Sequence, residues 1–135
     1  MDATAESKKV VLSFFGMVDA GTDPASLLAD DLVYWIAGDP EHFPLAGSHS
    51  KEEFGRVMSV IGANMPHGLD VKIKNIVADG AQVVAETQVH GVSATGKVYE
   101  NEVVFVSTVR DGRLVSVREY LDTSRAVGVL TEKAV

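Results

Sequence analysis

The sequence predicts an α+β fold in which a curved antiparallel sheet wraps around N-terminal helices and leaves an internal pocket between them. Three observations carry this. Apolar residues recur at helical spacing early in the chain, as in Val10, Val11, Phe14, Phe15 and Val18. Four segments rich in β-branched residues follow one another from Leu69 onward. The Asp79-Gly80 and Asp111-Gly112 pairs join two successive pairs of them tightly enough to force antiparallel hairpins. Helices first and consecutive strands after put the helices on one face of one sheet, and strong curvature makes that space a cone. A length of 135 residues with 46% hydrophobic content fits a single domain, its core at about 6–130.

Taken in order, residues 5–20 form the first helix, and Gly21 ends it. Asp23-Pro24 reads as cap and first position of a short helix stopping near Asp30. Leu32 to Ala37 is a short strand, and the Gly- and Pro-containing segment 38–48 is a loop able to act as a rim or lid. Ser50 and Glu53 form a capping box for a second helix, which turns Phe54, Val57, Met58 and Ile61 inward. After a break at Pro66 to Gly68, Leu69, Val71 and Ile73 alternate with polar residues in a strand, and Gln82 to His90 returns. Val98 to Val109 and Leu114 to Leu121 make the long hairpin, and residues 123–130 a short closing helix with a frayed end beyond it. Val104 and Val106 oppose the Val103, Phe105 row, so both faces of that strand are apolar. A homodimer through the sheet face is the expected way to cover the outer one.

Composition narrows the function classes. The formal net charge of −7, without a Lys/Arg run, speaks against nucleic acid and anionic membranes as partners. No cysteine is present, which removes disulfides, thiolate nucleophiles and thiolate metal sites. His42, His49, His67 and His90 fall in no metal-ligand spacing, and no phosphate loop or nucleophile elbow occurs, so no metal or cofactor is expected. The start of the chain lacks the apolar stretch of a signal peptide and no run reaches membrane length, which gives a cytoplasmic expectation.

The strongest chemical signal is Glu119. It shares a strand face with Val115, Val117 and Leu121, an acid in an apolar row. Burial there disfavours the charged form and readies the carboxyl to exchange protons near neutral pH. The competing reading is a solvated carboxylate or a partner of Arg118 or Arg125.

The N-terminal helix ending in Asp19-Ala20-Gly21, the LADDLVYW and AGSHSKEEF segments, and the terminal VRDGRLVSVREYLDT hairpin together resemble the nuclear transport factor 2 superfamily. Within it the chain is most similar to the SnoaL-like branch, over roughly residues 6–130. That superfamily also holds ketosteroid isomerases and limonene-type epoxide hydrolases. The resemblance implies the cone fold with its pocket, and it implies that Glu119, three residues before Asp122, is the pocket acid of the last strand. The hydrolases' Arg and Asp, two apart on an earlier strand, align with Glu86 and Gln88. The isomerase set falls on Phe14, Ile36 and Val104 or Phe105. Neither set is reproduced, so the resemblance names neither activity, and the fold itself serves enzymes, binding modules and adaptors alike.

Further candidates follow. Glu86 and His90 join Glu119 as catalytic groups if the Glu86, Gln88, His90 face turns inward; if the Val83, Ala85, Val89 face does, they meet water. Tyr34 and Trp35 point to opposite faces, so one of them lines the pocket directly, and a Tyr34 hydroxyl there would donate to a substrate oxygen. Asn101 would orient a carbonyl. Phe14, Met58, Val103, Phe105 and Val117 would supply apolar lining. His42 and His49 flank the 38–50 loop and would close over a ligand, and Asp122 reads as structural. The resulting expectation is a cofactor-free acid/base isomerase, cyclase or hydratase acting on a small hydrophobic carbonyl compound. A non-catalytic binder of a small hydrophobic molecule is the alternative, and a protein adaptor using the outer face is a weaker third.

Overall fold

The computed structural model describes residues 2–130. Helix α1 (Ala3–Asp19) starts where the Asp2 carboxylate accepts the Thr4 N–H at 3.0 Å, two residues before the apolar stripe called for it. A single 3-10 turn, Ala25–Leu27, leads directly into β1 (Leu28–Ile36). The strand therefore begins four residues earlier than expected and the preceding helix is shorter. Leu28 pairs with Leu114, and this pairing together with burial of Leu28 and Ala29 outweighs the local helix signal.

The 38–48 segment also departs from expectation. Its end forms β2 (Gly47–His49), antiparallel to β1, and Phe43, Leu45 and Ala46 are buried in the core. It is a packed wall and not a lid. Helix α2 (Lys51–Asn64) has the expected capping box, with Glu53 N–H donating to Ser50 Oγ at 3.1 Å and Ser50 N–H to Glu53 Oε1 at 2.9 Å.

Strands β3 (Asp70–Asp79), β4 (Gln82–Val92), β5 (Val98–Arg110) and β6 (Arg113–Leu121) form the expected antiparallel run. Asp111 (φ 53°) and Gly112 (φ 76°) make the β5–β6 turn with positive φ at both positions. The sheet order is β2-β1-β6-β5-β4-β3, and β1 lies parallel to β6 because the chain between them passes through α2 and the other strands. A register shift between Ile73 and Asn75 in β3 bends that edge of the sheet. Helix α3 (Thr123–Ala126) is capped by Asp122, whose carboxylate accepts the Ser124 N–H at 3.0 Å. The expected frayed end lies outside the described residues.

The core sits between the concave sheet face and the helices. Val83, Ala85, Thr87 and Val89 of β4, and Tyr99, Asn101, Val103 and Phe105 of β5, all face it and are buried. Helix α1 packs chiefly across β3, β4 and β5, whereas α2 packs on β1 and β2. The Asp19 carboxylate fixes one end of α1 by accepting the Val71 N–H at 2.9 Å. The two helices thus stand over different parts of the sheet. Among the described residues, no helix is long and apolar enough to cross a membrane.

Candidate functional site

Alternation on β6 turns Val117 and Glu119 toward the core and Arg118 and Tyr120 away from it. Glu119 pairs laterally with Phe105 of β5 and Ile36 of β1. Its carboxylate accepts a 2.6 Å hydrogen bond from the Tyr34 hydroxyl of β1. The Tyr34 ring stacks on Phe54 of α2 with centroids 4.0 Å apart, so the helix holds the hydroxyl in place. Beside Glu119 lies a cavity of about 80 Å³, bounded by both helices and the concave sheet. Glu119 is the one acidic residue among those lining it.

The electrostatics follow from that placement. Burial pushes the Glu119 carboxyl up to about 7, with the Tyr34 hydrogen bond pulling the other way. Tyr34 is raised well above the usual phenol range, first by burial and then by the charge and hydrogen bond of Glu119. Tyr99 on β5 also lines the cavity and is pushed up to about 12. Burial is the main cause there, and the Asn101 hydrogen bond opposes it. Asn101 donates its amide to the Tyr99 hydroxyl at 3.0 Å and to the Asp122 carbonyl at 3.0 Å. The Tyr99 oxygen is thereby an acceptor, and its rotatable O–H keeps its capacity to donate.

The structure brings some of the expected residues together and separates others. Phe14, Tyr34, Met58, Val103, Phe105 and Glu119 line the cavity. Val117 and Asn101 are buried beside it without lining it, and the Asn101 amide is already engaged. Trp35 is on the opposite sheet face, where Arg118 lies 4.3 Å over its ring and Tyr120 meets its edge. Glu86 and His90 are on that outer face too. Glu86 accepts from the Asn75 amide at 2.9 Å, and His90 pairs with Glu100, which also accepts from Gln88 at 2.6 Å. The inward residues of β4 are the hydrophobic set, so Glu86 and His90 cannot share a substrate with Glu119. His49 is pinned to the Leu45 carbonyl at 2.7 Å and the His42 side chain is 81% exposed, so neither closes over the cavity. No three His, Asp or Glu side chains among the described residues cluster as a set of metal ligands.

Tyr99 is the polar lining residue missing from the sequence-based site, as are Phe15, Phe54, Ile61 and Val89 among the apolar ones. The signal for Tyr99 was present, since it shares strand parity with Asn101, Val103 and Phe105.

The fold recurs in known proteins. Bal32a, from a soil-derived mobile gene cassette, superimposes with a TM-score of 0.83 at 13% identity, over 96% of this chain and 99% of that one. An LEH-like epoxide hydrolase from M. tuberculosis gives 0.74 at 26% identity, over 90% and 86%. A protein assigned as a SnoaL-like polyketide cyclase from Jannaschia sp. CCS1 gives 0.77 at 16%, over 98% and 96%. No curated protein matches the chain by sequence. The SnoaL-like domain family model matches residues 18–117, which takes in α2, the Tyr34 strand and most of the sheet, and the chain belongs to the SnoaL-like domain family.

Proposed function

We propose that the protein is an acid/base enzyme acting on a small, hydrophobic carbonyl compound, with Glu119 as the proton carrier. The observation that carries this reading is a single carboxyl in an apolar cavity, raised to about 7 and gripped by Tyr34. In the reaction, the Glu119 carboxylate removes a proton from the carbon next to the carbonyl. The C–H electron pair moves into an enolate, whose oxygen receives a hydrogen bond from Tyr99. The protonated Glu119 then returns the proton to another carbon, giving isomerisation, or the enolate carbon attacks a second carbonyl in the same molecule, giving cyclisation. In the second case the proton goes to the new alkoxide. None of these steps consumes a cofactor.

The polyketide cyclase assignment of the Jannaschia relative lends support to carbonyl chemistry. Epoxide hydrolysis, the activity named for the M. tuberculosis relative, has less support, because the inward residues of β4 are Ala85, Thr87 and Val89 and carry no charge. The same bareness favours the second reading, a non-catalytic binder of a small hydrophobic molecule. A homodimer covering the outer face around Trp35 and Tyr120, and a cytoplasmic location, go with either reading.

Deuterium exchange separates the two readings. Small cyclic ketones incubated with the protein in D₂O should gain deuterium next to the carbonyl, followed by NMR. Glu119→Gln should slow the enzyme-dependent exchange at least about a hundredfold, and Tyr99→Phe by about the 10²-fold typical of losing one oxyanion donor. Exchange that is absent in the wild type, or unchanged in Glu119→Gln, leaves the binding reading in its place.

A further inference from the structure

The inner cavity does not stand alone. Between the C-terminal end of α1, the start of β1 and one side of α2 runs a groove of about 830 Å³, roughly ten times the inner space. Val18, Phe54, Met58, Ile61 and Leu69 line both spaces, so the groove and the cavity adjoin across one shared apolar wall of side chains. Its cause is the separate footing of the two helices on the sheet.

Small residues interrupt the α2 side of the groove. Gly55, Ser59 and Gly62 fall at i, i+4 and i+7, all exposed and all lining it. A Cβ at Gly55 or Gly62 would meet nothing within 4 Å. Each glycine inside a helix is less favourable there than alanine. Packing requires neither of them, and what they provide is width. Charge at the rim is negative by a small excess: Asp23, Asp30 and Glu52 line the groove with one lysine, Lys51, and Glu52 is ion-paired with Arg56 at 3.1 Å, which leaves Asp23 as the acid in excess. Lys51 is already committed, donating to the Leu28 carbonyl at 3.1 Å and lying 3.5 Å from Asp30.

We infer that this groove is a second binding chamber, which holds the non-reacting body of an elongated, neutral, apolar substrate whose carbonyl end reaches Glu119 past Met58 and Ile61. This rests on the acid/base reading for the identity of the reacting end only. The inner space accommodates a head group and the groove a flexible alkyl or flat ring body. Carboxylate, phosphate and other anionic tails are disfavoured by the acidic rim.

The test is a calorimetric binding series of straight-chain methyl ketones of increasing length, with fatty carboxylates of matched length, against wild type, Gly62→Phe, Gly55→Leu and Glu119→Gln. Affinity of wild type should rise about three- to fourfold per methylene once the chain enters the groove. The ratio of long-chain to short-chain affinity should fall tenfold or more in Gly62→Phe and Gly55→Leu. It should persist in Glu119→Gln, and carboxylates should bind at least tenfold more weakly than the ketones. An affinity independent of length in wild type, or a ratio untouched by both groove-filling variants, overturns the inference. Carboxylates binding as well as ketones overturns the neutral class. Length dependence retained without deuterium exchange sinks the acid/base reading and leaves the chamber, whereas exchange without length dependence does the reverse.

Discussion

At the scale of single residues, Glu119 sets a pH dependence whose sign can be worked out. Its carboxyl titrates near 7 in the folded protein against 4.5 when unperturbed, so the folded protein holds a proton that the unfolded chain releases. The stability contributed by the protonated form is complete below about pH 4.5, is lost as the pH rises toward 7, and is gone above that. The loss amounts to at most about 3 kcal/mol. Glu119→Gln keeps an acceptor for Tyr34 but cannot ionise. Denaturant melts at about pH 5 and pH 8 should therefore show the variant gaining on the wild type as pH rises, by as much as about 3 kcal/mol. Equal gains at both pH values would place the charge in water. The pocket position of Glu119 was legible because strand alternation leaves an acid nowhere to go except its neighbours' face. Tyr99 was less legible, since Lys97, Val98 and Glu100 around it read as an exposed strand start. For Glu86 and His90, strand alternation alone leaves open which face turns inward. The burial of Val83, Ala85 and Val89 decides the face, as the greater apolar area would have done.

Among the elements, α2 matters most, because it supplies Phe54 behind Tyr34 and one wall of each chamber. Its start depends on the Ser50 box. Ser50→Ala should cost about 1 kcal/mol of stability, read from the denaturant midpoint, and Ser50→Asp should recover most of it. Elements with local signals were legible: the helical stripes, the capping box and the Asp-Gly turn. Those created by distant pairing were not. Residues 28–30 become strand because they lie alongside β6, more than eighty residues away in sequence. β2 exists because Gly47–His49 meets Tyr34, Trp35 and Ile36, and a three-residue strand has no periodicity to read.

For the molecule as a whole, assembly turns on the outer sheet face. Val33 and Tyr120 are 51% and 40% exposed there, next to Trp35 and its Arg118 neighbour. On the dimer reading, sedimentation should give twice the monomer mass, and Trp35→Glu should return it to monomer while leaving deuterium exchange in place. A wild-type monomer at high concentration would end that reading. The cone with its enclosed pocket was legible from element order, whereas the outer groove was not. It arises from where α1 and α2 land on the sheet, and nothing local in either helix encodes that distance.

That separate landing has an evolutionary meaning. The proton-handling pair Tyr34 and Glu119 is held by β1 and β6. The surface that would measure a substrate's length is held largely by the exposed side of α2. Selection can therefore rewrite which molecules are accepted, one exposed helix position at a time, without reopening the chemistry underneath.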